Sequence, residues 1–242
     1  KLFRERRAGW LIVGLALTLI SNFYFSYYEA IIIGGYLIYR TLFQYKEDIL
    51  TKIQKIYITA ITFILSLMIS SYGFYTGVSS FLHNDRKQNP LLEFPFFVDL
   101  LNTQKQTFLS GFHIILSILV IIALLQFKLY RRYYYRLFAI ITWIFILGSF
   151  TNAFDSFFNG FSIPQRRWVY ILTMTAALLV ALMIQHVAEM SIVSLIVACI
   201  PAFGVLYFSS RFAEGDWDWW ISTVLIIIVL AVIIVLFKGK TN

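Results

Sequence analysis

Residues 219–237 read WWISTVLIIIVLAVIIVLF, and no charged residue interrupts them. A helix that crosses the hydrocarbon core of a bilayer needs about 20 mainly apolar residues, so this stretch predicts a membrane-spanning helix. Basic residues follow it directly, at Lys238 and Lys240. Apolar runs ended by basic residues recur along the chain, and this pattern decides the fold class.

The same criterion predicts about eight spans and an all-α, polytopic transmembrane helical bundle. The first two spans are short, so we expect a hairpin with the aromatic segment Asn22–Tyr28 as its turn at the membrane interface, where Tyr is favoured. The predicted spans are Trp10–Ser21, Ala30–Leu42, Ile56–Tyr75, Phe108–Phe127, Leu137–Phe150, Trp168–Ile184, Ile192–Phe208 and Trp219–Phe237.

These spans predict a single transmembrane helical domain over residues 1–242.

Two loops are predicted to lie on the outer side and to differ from simple connections. The loop at 77–107 contains Leu91–Leu101, which is too short to cross and predicts an interfacial amphipathic helix. The loop at 151–167 is the predicted functional loop. The chain begins with Lys-Leu-Phe rather than Met, and we expect it to be part of a longer protein.

Composition agrees with a membrane protein. Apolar residues make up 60% of the 242 residues and charged residues 13%, whereas a soluble domain carries about 25% charged residues. The net charge of +8 does not indicate nucleic-acid binding, because the basic residues sit at the ends of apolar runs, as in cytoplasmic loops. With the N-terminus inside, the inner segments hold 14 of the 20 Lys and Arg residues. Both termini are therefore predicted to be cytoplasmic.

Several chemistries lack sequence support. The single cysteine, Cys199, excludes an internal disulfide and a metal site built from cysteines. The sequence has no Walker motif, Gly-rich dinucleotide loop, His-Glu-x-x-His motif or nucleophile elbow. An ATP-driven pump and a zinc protease are therefore unsupported.

The densest polar cluster lies in the loop at 151–167 and its border. Its members are Asn152, Asp155, Asn159, Ser162, Gln165, Arg166, Arg167 and Trp168. Two arginines on the predicted outer side oppose the charge bias, and a guanidinium fork matches phosphate and carboxylate geometry. The cluster predicts either an outward phosphate or sugar site, or a structured loop in which Arg167 pairs with Asp155.

A second cluster lies in the first hairpin, at Asn22, Tyr24, Tyr27, Tyr28 and Glu29. Aromatic faces combined with an amide and a carboxylate suit a sugar ring. The same residues are also typical of an interfacial aromatic belt, and the sequence leaves both interpretations open.

Two further clusters are weaker. Arg86 follows His83 in a solvated loop and adds another outward basic group. Near the start of the last span, Glu214, Asp216 and Asp218 offer oxygen ligands for a divalent cation. The neighbouring tryptophans are typical of an interfacial anchor, so neither a metal nor another cofactor is expected.

Residues 159–168, Asn-Gly-Phe-Ser-Ile-Pro-Gln-Arg-Arg-Trp, resemble the Asn-Gly-Phe-Ser-x-Pro-x-x-Arg-Trp signature of YfhO-like bacterial membrane proteins. Seven positions match: Asn159, Gly160, Phe161, Ser162, Pro164, Arg167 and Trp168. Ser21–Phe25 and the segment from Tyr72–Tyr75 to Asn84–Arg86 are similar to that family too, in compatible order along the 242 residues.

The resemblance implies a membrane-embedded glycosyltransferase of the bacterial cell membrane with an outward-facing site. Such an enzyme takes its sugar from a polyprenyl-phosphate-linked donor and transfers it to a cell-envelope glycopolymer such as teichoic acid. In these enzymes an acidic base commonly sits in the first outer loop. This sequence is expected to begin after that loop, so the catalytic carboxylate is expected upstream and no residue here is assigned to it.

The resemblance also implies roles for residues of the clusters. Arg167, together with its neighbour Arg166, would neutralise the leaving phosphate. Sugar hydroxyls would bond to Asn159, Ser162 and Tyr24.

Trp168 would stack at the membrane boundary, and Asp155, Asn22 and Arg86 complete the expected substrate-binding set. Because the donor is already activated as a lipid phosphate, no nucleotide is needed. The main alternative is a transporter or flippase for a polyprenyl-linked glycan that would use the same arginines. A non-catalytic scaffold for envelope enzymes is a third hypothesis.

Overall fold

Helices form the regular elements in the part of the chain that the structure, a computed structural model, describes. That part comprises residues 2–83, 117–161, 167–210 and 219–238. The α-helices are α1 (Leu2–Glu5), α2 (Gly9–Ser21), α3 (Phe23–Leu42), α4 (Lys52–Leu82), α5 (Ile118–Leu124), α6 (Tyr133–Gly148), α7 (Asn152–Phe158), α8 (Val169–Gln185), α9 (Ile192–Ser210) and α10 (Trp219–Lys238). Two 3₁₀ turns, Phe127–Arg131 and Val187–Glu189, connect α5 to α6 and α8 to α9. The predicted all-α class is confirmed for these residues.

Local side-chain caps explain where several helices begin. At α4, Gln54 N donates to Thr51 Oγ1 (3.4 Å) and Thr51 N donates to Gln54 Oε1 (3.1 Å), a reciprocal capping box. At α9, Ser191 and Ser194 exchange the same pair of bonds at 3.0 and 3.2 Å. Such caps satisfy amide groups that the first turn of a helix leaves without intrahelical partners.

Helix α4 contains a stretch that can cross a membrane by length and composition. Lys52–Ser80 has 29 residues with a mean hydropathy of 1.7, and within the described residues no other helix meets the same criteria. Shorter apolar helical stretches occur at Gly9–Ser21, Tyr133–Gly148, Val169–Gln185, Ile192–Gly204 and Val224–Leu236. The number of spans and the side of each terminus stay predictions.

The chain divides into two compact units, the first of which comprises Lys1–Phe94 and Asp155–Arg166. In this unit α2 packs on α4. Ser66 and Ser70 are buried on α4, and Gly73 follows them at helical spacing. Ser66 Oγ donates to Ile12 O on α2 (3.2 Å). A Cβ atom at Gly73 would lie 3.1 Å from Ile20 Cα, so small side chains allow the two backbones to approach closely.

A buried ion cluster closes the other end of this unit, where α3 turns back into α4. The Asp48 carboxylate lies between Arg40 and Lys55, with Lys55 Nζ 2.8 Å from Asp48 Oδ2. All three side chains are almost fully buried, at 2% exposure or less. Lys55 Nζ also donates to Arg40 O near the end of α3 (3.0 Å). The cluster thereby ties the α3–α4 connection to both helices.

The second unit comprises Pro95–Phe154 and Arg167–Asn242. Helix α6 packs on α8, while α5 contacts α8 and α9. Fully buried side chains line these contacts, including Ile122, Ala139 and Leu179. One polar link joins α5 to α9: Ser194 Oγ donates to the side-chain oxygen of the buried Gln126 at 2.9 Å.

Several predicted boundaries were wrong. The first hairpin has no seven-residue aromatic turn: α2 ends at Ser21, α3 begins at Phe23, and Asn22 alone, in an extended conformation, separates them. Phe25 N donates to Asn22 Oδ1 (3.3 Å), so Asn22 caps α3. Aromatic residues are compatible with a helix, and the sequence offered no separate turn signal.

The remaining differences concern lengths. Helix α4 continues to Leu82, into the segment predicted as the outer loop 77–107. Residues 84–107, which include the whole predicted interfacial helix, lie outside the described part. The span predicted at Phe108–Phe127 is described only from Ser117, where α5 ends at Leu124 and a 3₁₀ turn follows. Helix α6 begins at Tyr133 rather than Leu137.

Candidate functional site

The structure brings together the two polar clusters that the sequence analysis singled out in the first unit. Tyr27, from the start of α3, donates its hydroxyl to Phe157 O on α7 (2.8 Å), and their ring centroids lie 6.4 Å apart. Beside this bond the buried Tyr28 packs on Phe158, with centroids 6.2 Å apart. Residues 130 positions apart in the sequence therefore form one site.

The functional loop predicted at 151–167 contains a helix of its own, α7. Phe154 N donates to Thr151 Oγ1 (3.3 Å), which caps the start of this helix. A Thr followed by Asn and then by apolar residues was the sequence signal for this start, and the prediction of a plain loop missed it.

The signature residues Asn159, Gly160 and Phe161 form the C-terminal cap of α7. Phe161 N donates to Ser156 O (2.7 Å) and Gly160 N to Phe157 O (3.3 Å), the two bonds of a Schellman motif. Gly160 has φ 65° and Phe161 φ 60°. Glycine adopts a left-handed conformation without penalty, whereas a side chain there costs roughly 1–2 kcal/mol. The sequence Asn159–Gly160 thus forms a tight turn.

Two of the predicted polar site residues are buried next to this turn. Asp155 and Asn159 are each 4% exposed, and both have interaction partners. Asn159 N donates to Asp155 O (3.0 Å) as part of the helix. Their burial fits a role in fixing the turn.

The exposed part of the site is aromatic. Phe161 is 63% exposed and lies 5.6 Å from Phe157 by ring centroids, and Phe157 in turn contacts Tyr27. We call these three side chains the aromatic shelf. An exposed row of aromatic faces beside a backbone turn offers a stacking surface for a ring or an apolar chain.

The other predicted residues of the first unit contribute differently. Asn22 caps α3 with its side-chain oxygen. Tyr24 lies in α3, but its side chain is outside what the structure describes. Glu29 accepts a hydrogen bond from Thr18 Oγ1 (3.2 Å) on α2, so its carboxylate faces the partner helix of the hairpin. Ser162, Arg166 and Arg86 fall outside the described residues.

Two predicted residues belong to the second unit. Trp168 is almost fully buried; its ring lies 5.4 Å from Phe145 and 5.2 Å from Phe154, nearly perpendicular to the latter. In this unit Trp168 therefore packs as a core side chain at the start of α8. Arg167, directly before it, is exposed.

Two charged arrangements were not predicted, because the basic residues of the inner segments were interpreted only as topology signals. One is the buried ion cluster of Arg40, Asp48 and Lys55. The other joins two turns of the second unit, where the Arg132 guanidinium donates to both oxygens of Glu189 at 2.6 and 3.3 Å. This hydrogen-bonded guanidinium lowers the pKa of the Glu189 carboxyl. Alternating acidic and basic residues around Asp48 were the available signal for the first.

A metal centre has no support in the described residues, where no group of three or more His, Cys, Asp or Glu side chains converges. The acidic cluster at 214–218 lies outside those residues, so the expectation that no cation binds there stays a prediction.

Comparison with known proteins identifies relatives of the chain. The family described as "Bacterial membrane protein YfhO" matches residues 1–242. A protein of Bacillus subtilis (strain 168) described as "Uncharacterized protein YfhO" is 32% identical over 218 residues, which cover 90% of this chain and 25% of that protein. The chain thus spans about a quarter of the length of this relative. No solved structure matches it.

Proposed function

The chain belongs to the YfhO family of bacterial membrane proteins, and from that premise we propose that it forms part of a membrane glycosyltransferase. The enzyme would take a sugar from a polyprenyl-phosphate donor on the outer face and transfer it to an envelope glycopolymer such as teichoic acid. The observation that carries this proposal is the joining of the first hairpin to α7 by the Tyr27–Phe157 hydrogen bond.

That contact supports the proposal because it creates the aromatic shelf beside a rigid turn. Sugar rings and isoprenoid chains both present apolar surface, and stacking on an aromatic face uses that surface without a charged group. The Schellman turn fixes the backbone next to Phe161, so a ligand on the shelf would meet a prearranged surface. Prearrangement reduces the ordering cost of binding.

In this proposal Arg167, a residue of the second unit, stabilises the leaving phosphate. In the transfer the acceptor hydroxyl attacks the anomeric carbon, the bond to the phosphate oxygen breaks, and negative charge develops on the leaving polyprenyl phosphate. A guanidinium held next to that phosphate stabilises the charge, and the loss of one such donor typically lowers kcat by about 10²–10³-fold. Arg167 is exposed and occupies the arginine position of the signature at 159–168. The base that accepts the hydroxyl proton lies, in this proposal, outside these residues.

The test uses the full-length protein, reconstituted with a polyprenyl-phosphate sugar and an acceptor polymer. Arg167→Ala should lower kcat by about 10²–10³-fold, whereas Arg7→Ala, at another exposed arginine, should not. Full sugar transfer by Arg167→Ala would show that the assigned role is wrong.

The aromatic shelf is tested in the same assay. Phe161→Ala should raise KM for the donor about fivefold through the loss of about 1 kcal/mol of stacking, with kcat little changed. Tyr57→Ala, which removes an equally exposed ring from α4, is the matched control. If labelled lipid-linked glycan crosses vesicle membranes and no transfer product forms, the protein is a flippase rather than an enzyme.

A further inference from the structure

The 3₁₀ turn at Phe127–Arg131 carries a set of basic side chains that the proposed reaction does not use. Leu129 is buried and anchors the turn. Lys128 and Arg131, on either side of it, are exposed, and Arg132 follows directly with its side chain 55% exposed. We call residues 127–132 the basic turn. It lies between two apolar helices, α5 and α6.

The basic turn is locked to a second turn, Val187–Glu189, which lies about 60 residues further along the chain. Arg132 donates to both carboxylate oxygens of Glu189, and Lys128 Nζ donates to the Glu189 backbone carbonyl (2.9 Å). His186 Nδ1 lies 3.2 Å from the same carboxylate. Two separate contacts therefore hold the basic turn in one position, which limits the entropy lost when it binds a partner.

Among the described residues the charges at this place do not balance. There, Glu189 is the carboxylate that contacts the basic turn, and it already binds Arg132. Arg131 forms no hydrogen bond or ion pair within residues 2–83, 117–161, 167–210 and 219–238. The surplus positive charge at the ends of two apolar helices is complementary to the phosphate of an anionic headgroup.

An aromatic side chain stands next to this charge. Phe127 is 69% exposed, and its ring lies 5.8 Å from that of Tyr130 by centroids. An apolar ring beside lysine and arginine is the combination found where protein meets the membrane interface, since the ring enters the acyl region while the cations stay at the phosphates.

We propose that the basic turn binds an anionic phospholipid, with Lys128 and Arg131 at the headgroup phosphate and Phe127 among the acyl chains. The binding requires membrane insertion of the chain but does not depend on the proposed glycosyltransferase activity. It also does not depend on which leaflet the turn faces. Charge at the membrane surface is worth about fivefold in affinity per basic side chain, and salt should weaken the interaction.

Native mass spectrometry of the full-length protein in mixed micelles tests the proposal, with phosphatidylglycerol and phosphatidylcholine as the probes. Lys128→Gln/Arg131→Gln should weaken the binding of the first phosphatidylglycerol about 25-fold, at fivefold per side chain, and leave phosphatidylcholine unchanged. The matched control, Lys46→Gln/Lys52→Gln, removes the same charge from two other exposed lysines and should leave the first binding constant within about twofold.

A single variant separates binding from folding. Arg131→Gln removes no side-chain hydrogen bond or ion pair within the described residues, so it should keep the thermal stability of the parent protein and still lose about fivefold in affinity, while Arg131→Lys should retain the affinity. Equal losses in the charge-matched control, or no loss in the double variant, would overturn the proposal. Displacement of the lipid by inorganic phosphate at constant ionic strength would instead identify a site for soluble anions, and would overturn it too.

Discussion

Replacing Asp48 by Asn should lower the free energy of unfolding by about 3 kcal/mol. Asp48 is the shared anion of the buried ion cluster, and removing one partner of a buried ion pair typically costs about 3–5 kcal/mol because the remaining charge stays uncompensated. Here two cations lose their carboxylate together. The amide oxygen of Asn still accepts one hydrogen bond, and the rings of Phe3 and Tyr45 face Arg40. These contacts place the expected loss at the low end of that range.

The neighbouring residue provides a matched control. Glu47 pairs with Arg4, and the two side chains are 49% and 50% exposed. An exposed pair contributes about 0–1 kcal/mol, so Glu47→Gln makes the same chemical change one position away with a much smaller effect. Both substitutions remove one carboxylate from the α3–α4 connection. A larger loss of stability for Asp48→Asn is therefore caused by the burial of its ion pairs.

The assay is reversible unfolding in mixed micelles of dodecyl maltoside and increasing dodecyl sulfate, followed by far-ultraviolet circular dichroism, which reports the helix content. The double variant Asp48→Asn/Lys55→Met should recover part of the loss, since it also removes a buried cation. A loss of less than about 1 kcal/mol for Asp48→Asn, or a loss no larger than that of Glu47→Gln, would refute this reasoning. It would show that Arg40 and Lys55 are not left as uncompensated buried charges when the carboxylate is removed.

Three further predictions concern the packing of each unit. Tyr27→Phe removes the hydrogen bond between the hairpin and α7 and should cost about 0.5–1.5 kcal/mol of unfolding free energy in the same assay. Gly73→Ala should cost about 1–3 kcal/mol, because the added Cβ meets the backbone of Ile20; Gly34→Ala, with open space around it, should be neutral or stabilising. Since the carboxyl pKa of Glu189 is lowered in the folded protein, its stabilising effect is present above the unfolded value and is lost as pH falls through the folded pKa. A Glu189→Gln variant should therefore show a smaller loss of thermal stability below about pH 4.5 than the parent.

The helices were predictable where apolar residues follow one another without interruption. The runs that form α2, α8 and α10 start and end within a few residues of the predicted spans. In an apolar environment the backbone N–H and C=O groups must form hydrogen bonds within the chain, and a helix does this within one continuous segment. The prediction failed at Asn22–Tyr28, where aromatic side chains continue a helix as readily as they form an interface belt. A single asparagine makes that break, and single-residue breaks leave little compositional trace.

The site was predictable in its parts but not in its assembly. Both the hairpin cluster and the loop at 151–167 were predicted from the sequence as candidate site regions. Nothing in the sequence indicated that Tyr27 would bond to Phe157, because contacts between residues so far apart depend on how the helices pack. The burial of Asp155 and Trp168 could not be predicted either. Whether a polar or aromatic side chain in or beside a loop is buried depends on the residues that pack around it in the folded protein.

The signature at 159–168 contains both buried residues that stabilise the fold and exposed residues that are available to a ligand. Substitutions at the two kinds of position therefore test different properties. Asn159 and Gly160 form the cap of α7, and Trp168 packs in a core, so a loss of activity at these positions would report on folding as much as on chemistry. Phe161 and Arg167 are exposed, and substitutions there leave most buried contacts in place. A role in binding lipid-linked sugar is therefore decided most directly at these two residues. If only the buried positions proved essential, the signature would describe a structural turn rather than a ligand site.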